Sequence, residues 1–129
     1  MIQKLILGTV QLGLDYGINN KSGKPSKQKS FEILHTAYDN GIRFLDTAEA
    51  YGESQKIIGE FQKLNPNKKF SIITKLNANR QLKENELTEL VKKNCTTLHS
   101  SKLYCYMFHN YQSLINNKSL YGFVLQSVP

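Results

Sequence analysis

The stretch GIRFLDTAEAYGESQKIIGEF, residues 41–61, decides the fold. After Gly41, Ile42 to Leu45 has the character of a short buried strand, and Asp46 ends it. A loop follows. Ile57, Ile58, Phe61 and Leu64 then recur at the spacing of one helix face until Asn65-Pro66 stops it. The stretch is one strand–loop–helix unit.

The same pattern repeats on both sides. Upstream, Leu5-Ile6-Leu7 is an apolar run closed by Gly8, expected to be a strand buried on both faces. A loop rich in Gly, Asn and Lys (residues 13–25) ends in Pro25-Ser26, and Ser26 is the expected N-cap of a helix carrying Phe31, Leu34, Ala37 and Tyr38. Asn40-Gly41 supplies its stop. Downstream, Phe70 to Thr74 reads as a third strand, and Leu87, Leu90, Val91, Cys95 and Leu98 line a third helix. Leu103 to Phe108 is the fourth strand. Leu114 to Gln126 begins a fourth helix, interrupted by Asn116-Asn117 and Gly122.

Four consecutive βα units imply a parallel sheet, because parallel strands need a crossover and each helix supplies one. Two architectures satisfy this: an open doubly wound sheet and a (β/α)8 barrel. No GxGxxG fingerprint follows the first strand, which counts against a dinucleotide-binding open sheet. The glycines of GTVQLG (residues 8–13) lack the Lys-Ser/Thr ending of a phosphate loop.

With 129 residues the chain is one domain at most. Seventeen Lys and Arg against ten Asp and Glu leave a net charge of +7. The lysines are scattered, at 21, 24, 27 and 29, then 68–69 and 92–93, and no nucleic-acid-binding signature accompanies them. They read as solvated faces, and no nucleic-acid partner is expected. Cys95 and Cys105 stand ten positions apart without a CxxC, as free thiols of a reducing compartment would. The apolar run near the start is shorter than a signal-peptide core and far too short to span a bilayer. A soluble, cytoplasmic protein without a membrane partner is expected.

The ionisable residues fall in register with the strands. Asp46 ends the second, Lys75 the third and His109 the fourth, 29 and 34 residues apart, about one βα unit each. An acid, a base and an imidazole are thus delivered to the carboxyl edge, where such folds place their chemistry. Tyr51 follows in the loop after Asp46 and can fold back over that edge. Singly, each has a blander reading: Asp46 as a turn cap, Lys75 as a strand-end lysine reaching solvent, His109 as structural, Tyr51 as packing. Together they suit proton transfer to a carbonyl oxygen during its reduction. A free tyrosine phenol titrates near ~10 and shuttles protons poorly at neutral pH. A neighbouring ammonium stabilises phenolate, a role open to Lys75, with Asp46 holding the lysine in place. His109 can donate a hydrogen bond that polarises the carbonyl. The hydride must come from a cofactor.

Residues 41–61 resemble the DTAxxYGxSExxxG signature of the aldo-keto reductase family, and LILGTVQLG, FSIITKL and YMFHN resemble its first, third and fourth strands. The likeness runs from about Leu5 to His109, with the opening GTVQLGLDYGINNKSGKPS similar to bacterial members. It implies an α/β fold: the N-terminal half, about four βα units, of a (β/α)8 TIM barrel that reduces aldehydes and ketones with NADPH or NADH. By the same resemblance the catalytic set is Asp46, Tyr51 as proton donor, Lys75 and His109, with His109 also orienting the carbonyl substrate. Gly8, Thr9 and Asp46 would lie near the cofactor, and no metal is implied.

Gln55 stands where the family usually has Glu, a helix-surface change expected to be tolerated. The chain opens directly on the first barrel strand. A complete barrel takes about 250 residues, so residues 1–129 read as an oxidoreductase domain missing its C-terminal half, where the main cofactor grips belong. Alone, it is expected to be inactive and to self-associate through exposed barrel edges. A non-enzymatic half-barrel that binds itself or a separately encoded second half is the rival reading. A metal-dependent barrel using Asp46 and His109 is weaker, since two ligands fall short of a metal site.

Overall fold

The computed structural model describes residues 5–120. Four strands, β1 (Ile6–Gly8), β2 (Phe44–Asp46), β3 (Ser71–Leu76) and β4 (Cys105–Phe108), form one sheet in the order β1-β2-β3-β4. Every neighbouring pair is parallel. The crossovers carry α1 (Val10–Gly13) and α2 (Lys27–Asp39), then α3 (Ser54–Leu64) and α4 (Glu84–Thr97); α5 (Tyr111–Asn116) follows β4. No described helix is long and apolar enough to cross a membrane.

Local signals explain the boundaries. Ser26 caps α2 by accepting a hydrogen bond from Lys29 N at 3.1 Å. The helix ends in a Schellman motif: Gly41 N donates to Tyr38 O and Ile42 N to Ala37 O, both at 3.0 Å. Gly41 takes φ +90°, which a side chain would resist. Ile42 is therefore spent on the helix end, and β2 begins at Phe44 instead of Ile42. Of the fourth helix, α5 starts at Tyr111, earlier than Leu114, and stops at Asn116 as its Asn pair requires; Gly122 lies outside the described residues.

The core lies between the sheet and its helices. Leu45 and Ile72 from the sheet meet Leu34, Ile58, Phe61 and Leu98 from the helices and their ends, all fully buried. Each such side chain contributes roughly 1.5–3 kcal/mol of transfer free energy. Phe61 is the hub, edge-on to Phe31 with ring centroids 5.5 Å apart. Leu64, expected on the same face, is 68% exposed at the end of α3. Gln62 is buried instead, donating to Leu98 O at 2.6 Å and accepting from Phe70 N at 2.8 Å. Both groups of its amide are thereby satisfied.

Among the described residues the strands pack against the helices on one face. Ile6, Phe44, Ile73 and Met107 share the opposite face through the strand register, and Ile6 is 53% and Met107 41% exposed. Helices cover one side of the sheet; on the other, exposure falls from Ile6 and Met107 to the buried Lys75 near the end of β3.

Candidate active site

The carboxyl ends of the strands set the site. Asp46 is the last residue of β2, Lys75 lies one residue before the end of β3, and His109 directly follows β4. Asp46 pairs with Ile73 in the sheet register, so Lys75, two residues further along β3, projects from the same face. Lys75 is 9% exposed, which removes the reading of a lysine reaching solvent. Its Nζ donates to Asp46 Oδ1 at 2.5 Å and to Thr47 O at 3.1 Å, and lies 3.5 Å from Tyr51 Oη. The ammonium is thus pinned on two sides, with its third proton free to turn toward the phenol.

Tyr51 reaches the rim through the β2–α3 loop. The loop's backbone is tied to β3: Thr47 N donates to Ile73 O at 2.9 Å and Glu49 N to Lys75 O at 3.1 Å. The Tyr51 and His109 rings meet edge-on, centroids 6.0 Å apart. His109 Nδ1 is buried with no hydrogen-bond partner among the described residues. An orphaned N–H there would cost more than an orphaned lone pair, since nothing is placed to accept it. Nε2 is the ring nitrogen left to donate. Asp46, Tyr51, Lys75 and His109 stand together on one edge.

The residues named as cofactor neighbours differ among themselves. Gly8 pairs with Asp46, and a Cβ added to it would meet nothing within 4 Å, so the rim beside Asp46 is open there. Thr9 is 1% exposed and turned into the protein. Its N and Oγ1 both donate to Asp46 O, at 3.0 and 2.9 Å, and its O and Oγ1 both accept from Ser54 Oγ at 2.9 Å. Thr9, Thr47 and Ser54 form a buried hydroxyl cluster that fastens the start of α3 to the ends of β1 and β2.

Behind the rim lies a polar network that motif reading passed over. Glu49 accepts from Tyr106 Oη at 2.5 Å and Asn94 Nδ2 at 2.8 Å on one oxygen, and from Asn77 N at 3.1 Å on the other. Burial, then the Glu49 carboxylate, push the Tyr106 phenol well above its usual range, so it remains a donor. Gln55, expected on the helix surface, is placed elsewhere. Gln55 is half-buried and donates to Thr74 Oγ1 at 2.7 Å and to Asn94 Oδ1 at 2.9 Å. The sequence signal was Asn94, a polar residue in the centre of the Leu90–Leu98 helical stripe.

The profile of the aldo/keto reductase family matches residues 4–115. Over 66 residues, half of this chain and 17% of the relative, the sequence is 38% identical to an aryl-alcohol dehydrogenase of Pestalotiopsis microspora. A crystal structure assigned as an aldo-keto reductase of Pseudomonas aeruginosa superposes with a TM-score of 0.73 at 23% identity, covering 94% of this chain and 49% of that one. An aldo-keto reductase enzyme from a Medee basin deep-sea metagenome library gives 0.62 at 20% identity, covering 94% and 41%. The chain spans about half the length of these solved structures, and its parallel four-stranded sheet with alternating helices matches the N-terminal half of their barrel. With its strand order, its rim and this match over most of its length, the chain belongs to the aldo/keto reductase family.

Proposed function

We propose that these residues form the proton-transfer half of an NAD(P)H-dependent reductase acting on an aldehyde or ketone. The observation that carries the reading is the Lys75 ammonium, held at 2.5 Å by Asp46 and facing the Tyr51 hydroxyl at 3.5 Å. Tyr51 gives its proton to the carbonyl oxygen as the alcohol forms. Lys75 stabilises the phenolate left behind, and Asp46 keeps the ammonium charged and oriented. His109 donates from Nε2 to the same oxygen and draws charge onto it. When bound, the nicotinamide supplies the hydride, for which no side chain is suited. The open rim at Gly8 beside Asp46 fits its approach, and Thr9 supports that rim from beneath.

The test joins these four βα units to the C-terminal half of the Pseudomonas aeruginosa relative and measures NADPH-dependent reduction of simple aldehydes. Tyr51→Phe should lower turnover by about 10²–10⁴, the range for a lost general acid, with cofactor affinity nearly unchanged. Full activity in that variant would overturn the assignment.

One observation favours a second reading: Ile6 and Met107, on one face of the two edge strands, are exposed large apolar side chains. With all four strands parallel and in sequential order, β4 of one copy can extend in parallel into β1 of another. Two such junctions related by a twofold axis would close eight strands and remove both edges. On this reading the 129-residue chain binds a second copy and reduces nothing. Sedimentation at micromolar concentration decides, a monomer excluding it.

A further inference from the structure

We propose that Glu49 and Gln55 are a coupled pair of positioning residues that hold the Asp46–Tyr51 segment so that Tyr51 meets Lys75. In its catalytic sense this rests on the reductase reading; as a statement about geometry it stands alone. Glu49 lies midway between Asp46 and Tyr51, in a loop that would otherwise be free to shift. Its backbone is held by Lys75 O, and its carboxylate by Asn77 N, Asn94 Nδ2 and Tyr106 Oη. One side chain thereby ties the loop to the end of β3, to α4 and to β4.

The chain of hydrogen bonds has a direction. Gln55 donates to Asn94 Oδ1, Asn94 then donates to Glu49, and Glu49 accepts from all its partners. Asn94 Nδ2 also donates to Leu90 O at 2.9 Å, and at 3% exposure its amide cannot exchange any of these three bonds for water at no cost. A carboxylate at position 55 could not donate. Asn94 would turn its NH2 toward it and present its oxygen to the Glu49 carboxylate and to Leu90 O, oxygen-to-oxygen contacts in a buried place. The acid at 49 thus requires the amide at 55.

That logic predicts reciprocal rescue. Glu49→Gln alone must aim its new NH2 either at Asn77 N or at Asn94 Nδ2 and Tyr106 Oη, so at least one donor of the set loses its acceptor. Gln55→Glu alone creates the oxygen contact. The double variant runs the chain backwards. The carboxylate introduced at position 55 accepts from Asn94, and Asn94 accepts from the amide introduced at position 49. The oxygen of that amide still accepts from Asn77 N, while Tyr106 Oη and Leu90 O each lose a partner, so the rescue is partial.

The experiment uses the 129-residue chain with ¹³Cζ-labelled tyrosine, its seven tyrosine resonances assigned by single Tyr→Phe changes. Glu49→Gln and Gln55→Glu should each move the Tyr51 resonance, and the double variant should return it part of the way. Ile33→Val, which loosens the core without touching the network, should leave it in place. In the completed barrel the single variants should lower kcat by about tenfold or more at little change in KM, as expected when a reacting group is displaced. The double variant should recover part of the loss. An unmoved Tyr51 resonance, or single effects that simply add, would overturn the pairing. If the rescue appears while Tyr51→Phe leaves carbonyl reduction intact, the positioning stands and the reductase reading fails.

Discussion

Lys75 and Asp46 join the ends of β3 and β2 through a 2.5 Å contact in which the partners differ sharply in exposure: the lysine side chain retains 11% and the aspartate 36%. The asymmetry matters for what each contributes. Lys75 has given up most of its hydration and depends on Asp46 and Thr47 O in exchange. Asp46 keeps part of its own.

Substitutions on the two sides should therefore differ. Asp46→Asn leaves a buried ammonium without a counter-charge and should lower unfolding stability by about 1–3 kcal/mol. Lys75→Met replaces the buried cation by an apolar chain of similar length and leaves a partly hydrated aspartate, so it should cost much less. Urea denaturation of both variants checks the order. Equal losses would mean that Asp46 is as dependent on the pair as Lys75.

Two glycines separate stability from site geometry. A Cβ on Gly13 would sit 1.8 Å from Tyr51 O, and one on Gly59 would sit 1.9 Å from Thr97 O. Both substitutions to Ala force backbone apart and should cost about 1–3 kcal/mol. Gly59 lies where α3 packs on α4, behind the sheet, whereas Gly13 bears directly on the loop of Tyr51. Only Gly13→Ala should also displace the Tyr51 resonance in the labelled chain.

Acid should weaken the helix layer before it reaches the core. Asp39 is held below its ordinary 3.8 by the hydrogen bond and charge of Lys68. Glu53 and Glu60 are held below 4.5 chiefly by the hydrogen bonds of Lys24 and Lys27. A carboxylate whose folded pKa is depressed adds stability that is complete above its unfolded value and lost as pH falls through the folded one. The contribution of these three pairs should thus be whole above about pH 5 and fade on acidification below about 4. All three carboxylates are solvent-exposed, so the effect should be small and should shrink in about 1 M salt. Urea midpoints measured from about pH 6 to pH 3 at low and high salt check both the sign and the screening.

Strand and helix order was legible along the chain because hydrophobic period is local. A short apolar run, a loop and a stripe at helical spacing appear within about 30 residues, the length of one βα unit. The rim was legible for the same reason: Asp46 closes β2, Lys75 sits one residue before the end of β3, and His109 follows β4. The errors had a common source. Ile42 looks like strand but serves the Schellman end of α2, and Leu64 looks like core but lies past the sheet's reach.

The sequence by itself determined the alternation of elements, the parallel sheet and the set of ionisable groups on its carboxyl edge. Only the tertiary structure decided how Tyr51 is held against Lys75. Glu49 meets Asn77 and Tyr106 from 28 and 57 residues away, and Gln55 meets Asn94 from 39. No periodicity encodes such meetings. They exist because α4 and β4 pack where the sheet places them, and a buried donor there must find its acceptor.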